Sequence, residues 1–222
     1  MTISIGMLLF PKITQLDLTG PYEVLARMPE VQISLLWKSL DPVTAGTGLT
    51  ILPSLRLAEA PQLDVLVVPG GFGVVPLLDD PEVLAFLRRQ ALTARYVTAV
   101  CTGSLLLGAA GLLEGYEATT HWAYHELLAL CGATPTKKRV VVDRNRITGG
   151  GVTAGIDFAL RLVAELSSED TARGIQLGLE YDPEPPFRAG TPELAGEALT
   201  ALVRAGLEPS REQYAARLKQ RR

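Results

Sequence analysis

The sequence predicts an α/β fold, a three-layer sandwich with a mostly parallel central sheet, and three observations carry that reading. Strand-like and helix-like patterns alternate along the chain. Two strand segments, 63–69 and 96–100, are apolar at nearly every position, as strands covered on both faces must be. The second of them runs straight into a helix through a turn that carries Cys101, which is the arrangement of a nucleophile elbow.

Each element has its own justification. Residues 3–10 form an apolar run stopped by Pro11. Residues 18–28 have helical spacing, with Val24, Leu25 and Met28 on one side, and Pro21 is tolerable there only near a first turn. Residues 31–37 alternate as a strand does, and 49–57 suit a further strand or hairpin arm. Gly70-Gly71-Phe72-Gly73 is a loop after the strand 63–69, and a helix over 80–93 opens with Asp80 and Pro81. A helix rich in Leu, Ala and Gly covers 102–113, and another over 123–130 is closed by Gly132. Val140-Val141-Val142 and Arg146-Ile147-Thr148, separated by Asp143-Arg144-Asn145, fit a hairpin. Gly149-Gly150-Gly151 leads into an apolar helix over 153–166. The Pro-rich stretch 181–192 reads as an extended excursion, and 211–222 as a charged, solvated helix. The α/β domain is expected over 1–180, with an extended segment and C-terminal helix over 181–222 lying on or near it.

Composition narrows the function. A chain of 222 residues suits one domain with a large core, and 47% hydrophobic with 20% charged residues excludes disorder. A net charge of −3 and interleaved signs leave no basic stripe for nucleic acid. No apolar run is long enough to span a bilayer, and the N-terminus lacks the charge and cleavage site of a signal peptide. A cytoplasmic protein is expected, with Cys101 and Cys131 as thiols. Two scattered histidines and two cysteines make a poor case for zinc, so no metal site is expected.

The chemistry centres on Cys101. In an open parallel sheet the ligand crevice lies at the carboxyl ends of the strands, and a side chain on a strand-to-helix turn projects into it. The adjoining helix N-terminus is expected to favour thiolate, and the Thr102 N–H is a free first-turn donor. Val68-Pro69-Gly70-Gly71 ends the strand placed beside that of Cys101, and the Gly70 and Gly71 N–H groups are candidates to complete an oxyanion hole. Other readings remain open at this point. Cys101 also suits a small buried filler, Gly-Gly after a strand is often only a turn, and Asp17 suits a helix N-cap. Cys131, beside Gly132 and without an elbow, reads as structural, and Glu23 as a solvated helix residue.

The strand ending Val-Pro-Gly-Gly, followed by a helix and by Ala99-Val100-Cys101-Thr102-Gly103, resembles the ThiJ/PfpI superfamily of the glutamine-amidotransferase-like fold, over about residues 3–180. Leu16-Asp17-Leu18-Thr19-Gly20-Pro21-Tyr22-Glu23, the run from Cys101 to Leu113, Thr119-Thr120-His121-Trp122 and Gly149-Gly150-Gly151-Val152-Thr153 are similar to the isonitrile hydratase branch. The resemblance implies a flavodoxin-like sandwich and a homodimeric, cofactor-free lyase that adds water to a small neutral isonitrile. It implies Cys101 as nucleophile, Asp17 where most members have glutamate, Thr102 hydrogen-bonded within the site, and Gly150 and Val152 backbone near the sulfur. In this scheme Asp17 delivers a proton if apolar surroundings raise its pKa, and the pocket is lined by Leu18, Phe72, Trp122 and Val152.

Two further classes stand beside the hydratase. Sister proteins include sensor domains of AraC-type regulators, but the segment after Leu166 is too short for two helix-turn-helix motifs and is not basic. A redox sensor or glyoxal-acting enzyme would oxidise Cys101 or use it against a carbonyl. His121 is a rival partner for the cysteine and reads, with His125, as supporting the site from behind or as structural.

Overall fold

The computed structural model describes residues 2–220. Met1 of the N-terminal run, and Arg221 and Arg222 of the expected C-terminal helix, lie outside the described residues.

The chain begins with β1 (Ile3–Leu8), α1 (Gln15–Leu25) and β2 (Val31–Trp37). Three two-residue pieces follow, β3 (Val43–Thr44), β4 (Thr50–Ile51) and β5 (Leu55–Arg56), so the stretch 49–57 is broken rather than one strand. Then come β6 (Val65–Val68), the single-turn α2 (Val74–Leu77), α3 (Pro81–Ala91), β7 (Tyr96–Val100) and α4 (Gly103–Ala109). After β8 (Glu117–Ala118), a 3₁₀ segment (Trp122–Cys131) replaces the α-helix expected over 123–130. It does end at Gly132, which is left-handed at φ 71°. The remainder is β9 (Thr134–Pro135), β10 (Val140–Asp143), β11 (Arg146–Gly149), α5 (Ala154–Leu166), α6 (Glu169–Gly178), α7 (Pro192–Ala195) and α8 (Glu197–Lys219).

The seven-stranded sheet has the order β10-β11-β7-β6-β1-β2-β5. Every neighbouring pair is parallel except the β10–β11 hairpin at one edge. Burial explains the apolar strands: all four residues of β6 and Val97 to Val100 of β7 are inaccessible, with helices over both faces. The chain leaves β1 toward β2 and β5, then returns to place β6 on the other side of β1. That reversal opens a crevice at the carboxyl ends of β1 and β6, and β7 ends beside it.

Two expectations are corrected by local physics. Helix α1 starts at Gln15, so Pro21 lies past the first turn. Its ring faces Gly155 of α5, where a Cβ would come within 3.1 Å of it, and this close contact between α1 and α5 holds the proline in place. The C-terminal helix is longer than expected and is not simply solvated. Tyr214 and Leu218 of α8 are 1% and 2% exposed, and the helix packs on the 3₁₀ segment and on α2.

Candidate active site

Cys101 sits between β7 and α4 with φ +56°, the left-handed conformation that a non-glycine residue adopts at a cost of roughly 1–3 kcal/mol. Its neighbours hold it there. The Cys101 N–H donates to the carbonyls of Gly149 and Gly150 at 3.0 Å each, and Thr120 Oγ1 donates to the Cys101 carbonyl at 2.6 Å. Gly103 lets the helix start against β6, since a Cβ there would lie 2.0 Å from the Val68 carbonyl oxygen. The sequence-predicted elbow is therefore present in full.

The sulfur is nearly enclosed, with Cys101 5% exposed. Burial pushes the Cys101 thiol well up, and the negative charge of Asp17 adds to that, against the lowering effect of the Thr102 and Val152 backbone N–H groups. That direction runs against the preference for thiolate expected from the helix N-terminus. Helix α4 has only seven residues, and desolvation is the largest influence on the thiol.

Asp17 stands on the first turn of α1 and not in a loop before it, with Thr14 at the cap position. It caps nothing. Its side chain turns into the crevice, is 0% exposed, and takes the Gly70 N–H on Oδ2 at 3.0 Å. Oδ1 is buried without a conventional hydrogen-bond partner, and the carboxyl's other interaction is with the Cys101 thiol. Burial pushes Asp17 up to about 7, against the lowering effects of the Gly70 N–H and the thiol. The two groups thus form one buried pair, and at neutral pH it holds between one and two protons.

The glycines serve a different purpose from the one expected. The Gly70 N–H is engaged by Asp17, and the Gly71 N–H donates to Thr102 Oγ1 at 3.0 Å. These two N–H groups orient the acid and the threonine, while the donors on the sulfur come from Thr102 and Val152. Only glycine fits at 70, where a Cβ would lie 2.6 Å from Thr102 N and 2.8 Å from Asp17 Oδ2.

His121 is not the partner of the cysteine; the groups that shift Cys101 are Asp17 and two backbone N–H groups. Burial lowers His121 to about 4, so it is neutral at working pH, and its Nδ1 accepts the Ala123 N–H at 3.3 Å. Its ring lies so close to Gly151 that a Cβ there would be 2.5 Å from Cδ2. Among the described residues no group of three metal-binding side chains occurs.

A cleft of about 520 Å³ runs past the site. Thr120, Gly150 and Val152 line it and also interact with Cys101, while neither Cys101 nor Asp17 is itself in the lining. Trp122 and Val152 are in its wall as expected; Leu18 is in the core and Phe72 is 56% exposed. Its outer wall carries Lys138, Arg139, Glu193 and Arg204, so it is mixed rather than apolar. Sequence reasoning missed Tyr214, whose hydroxyl donates to the Gly71 carbonyl at 2.8 Å. The spacing of Leu207, Tyr214 and Leu218 on one helix face was the signal available.

Chemically, the site offers a soft sulfur, a buried acid that titrates near neutrality, and two N–H donors at the sulfur, with no cation beside them. That set suits addition to an uncharged carbon that must gain both a nucleophile and a proton.

Comparison with known proteins identifies the family. The model of the DJ-1/PfpI family matches residues 3–165. The chain is 58% identical over 210 residues to an isonitrile hydratase of Pseudomonas putida, covering 95% of this chain and 92% of that protein. It is 34% identical to the HTH-type transcriptional regulator GbdR of Pseudomonas aeruginosa, over 81% of this chain but about half of the regulator, 51%. A crystal structure of a ThiJ/PfpI family protein from Pseudomonas syringae superposes with a TM-score of 0.96 at 44% identity, covering 98% of this chain and 91% of that one.

Proposed function

Because the chain belongs to the DJ-1/PfpI family, we propose that it is an isonitrile hydratase, converting R–N≡C and water to the formamide R–NH–CHO through a covalent bond to Cys101. The buried Asp17–Cys101 pair is the observation that carries the reading, and the 58% identical Pseudomonas putida protein supports it.

The pair supplies what the first step needs. Sγ bonds to the terminal carbon while the thiol proton, passed through Asp17, is placed on the same carbon. R–N≡C and the thiol become the thioimidate R–N=CH–S–Cys101, with nothing lost. The Thr102 and Val152 N–H groups stabilise the sulfur while it carries negative charge. Water then adds to the carbon. Asp17 takes its proton as the nitrogen gains one, and R–NH–CH(OH)–S–Cys101 collapses to the formamide with the thiol restored. No step calls for a cofactor.

The other residues act through these two. Gly70 holds Asp17 through its N–H, Gly71 holds Thr102, and Gly150 fixes the cysteine backbone. His121, neutral and stacked on Gly151, keeps the 150–152 loop against the sulfur and bounds the cleft by which the substrate arrives. In this reading the catalytic domain spans 1–180, and α8 of the following segment packs on it through Tyr214 and Leu218. We place the enzyme in the cytoplasm as a homodimer; the apolar side chains left outside on Leu199, Leu202 and Val203 support a covered face. No helix among the described residues is long and apolar enough to cross a membrane.

The test is incubation with a simple aliphatic isonitrile and, separately, with methylglyoxal, following products by proton NMR. Formamide from the isonitrile is the expected result. Turnover of methylglyoxal with no formamide overturns the assignment.

A further inference from the structure

We infer that Tyr214, on the C-terminal helix α8, is a positioning residue of the active site, bracing a ring of hydrogen bonds between Gly71 and Thr102 that sets the geometry of Asp17 and Cys101. The inference rests on the hydratase reading above for its kinetic readout, but the ring itself rests on contacts.

The ring and its brace consist of three hydrogen bonds. The Gly71 N–H donates to Thr102 Oγ1 at 3.0 Å. The Thr102 hydroxyl in turn donates to the Gly71 carbonyl at 3.5 Å. The Tyr214 hydroxyl donates to that same Gly71 carbonyl at 2.8 Å. Every donor and acceptor is thereby used inside the protein, the condition under which a buried polar network is rigid. Thr102 and Tyr214 are 3% and 1% exposed, so water does not compete.

The ring touches the chemistry at two points. Thr102 is the residue whose backbone N–H points at the Cys101 sulfur. Gly71 continues from Gly70, whose N–H holds Asp17 Oδ2. Fixing the Gly71 peptide therefore fixes both the donor on the sulfur and the donor on the acid. Tyr214 is itself held from behind. Its ring meets Tyr124 edge-on at 5.2 Å, and the Tyr124 hydroxyl shares a hydrogen bond of 2.5 Å with Ser210, one turn earlier on α8. The family model ends at residue 165, so this contribution comes from outside the stretch it matches.

The direction of the effect follows from the geometry. The Gly70 N–H lowers the proton affinity of Asp17. Loss of the Tyr214 hydroxyl loosens the 70–71 peptides and weakens that bond, so Asp17 holds its proton to higher pH. The experiment compares Tyr214→Phe, Thr102→Val and the double variant of the full chain in kcat, KM and the pH profile of kcat/KM. For Tyr214→Phe we expect kcat to fall about tenfold with KM within about twofold, and the acid limb to move up by about half a pH unit. In the Thr102→Val background the same substitution adds little, because the ring is already open. Incorporating 3,5-difluorotyrosine at 214, a stronger donor of nearly the same shape, moves the limb down and covers the case in which Tyr214→Phe does not fold. The pH dependence of Cys101 alkylation by iodoacetamide in the same proteins reads the pair without an isonitrile. A wild type inactive on isonitriles therefore overturns the hydratase reading, while alkylation still tests the ring. Unchanged acid limbs and alkylation profiles, or effects that add independently of Thr102, overturn the role of Tyr214.

Discussion

Replacing Asp17 by asparagine should make the protein more stable above neutral pH while removing its activity. The carboxyl is fully buried, and its pKa is raised from 3.8 to about 7. A raised folded-state value means that the folded protein binds this proton more tightly than the unfolded chain does. The stabilisation is complete below pH 4 and is lost as the pH rises through 7, amounting to about 4 kcal/mol at ~1.4 kcal/mol per pH unit. Most of that, roughly 3 kcal/mol, is lost between pH 5 and pH 8. Asparagine carries no charge and its carbonyl still accepts the Gly70 N–H, so the variant escapes this loss. Urea unfolding at one protein concentration, at pH 5 and pH 8, measures the difference. The stability gap between Asp17→Asn and wild type should widen in favour of the variant by about 3 kcal/mol over that range, while kcat falls at least ~10²-fold. A gap that stays constant, or widens the other way, would refute the claim that an ionising buried carboxyl is carried for catalysis.

The kcat/KM of the wild type should climb through about pH 7, as the pair goes from two protons to one, and then stay level until well into the alkaline range where Cys101 loses its proton. A stopped assay from pH 5 to pH 9 shows it; a fall in activity across pH 7 contradicts the scheme. Gly70→Ala should lower both stability and kcat, by about 2 kcal/mol and ~10²-fold, because its Cβ would meet Thr102 N at 2.6 Å. Thermal unfolding and kinetics on one preparation test both. His121→Ala should cost less than about tenfold in kcat and leave the acid limb in place, since the neutral imidazole supports the 150–152 loop and transfers no proton. A shift of that limb in the alanine variant would return His121 to the role of proton partner.

How far the site was legible depends on which force set each part. The strands 63–69 and 96–100 were readable because a buried parallel strand leaves an unbroken apolar run, and Cys101 was readable because it ends one of them. The start of α1 was not, because Thr14 makes no side-chain cap bond to announce it and Pro21 survives past the first turn through its contact with Gly155. The glycine pair pointed to free N–H groups, but only the fold shows that both are already used, by Asp17 and by Thr102. The upward push on the Cys101 thiol was not legible either, because desolvation is a property of the assembled core and leaves no local mark in the chain. Tyr214 was hidden by a charged tail. The stretch from 211 reads as a charged, solvated helix, and only the packing of α8 on the 3₁₀ segment shows that Tyr214 is buried.

The central claim is that substrate becomes bonded to Cys101. Rapid mixing with an isonitrile, acid quenching and mass analysis of the Cys101 peptide test it directly, with formamide release followed in parallel in wild type and Cys101→Ala. The account expects a Cys101 peptide heavier by the whole mass of the isonitrile, because the first step expels nothing, and no turnover by the alanine variant. Formamide released by Cys101→Ala at the wild-type rate would contradict it.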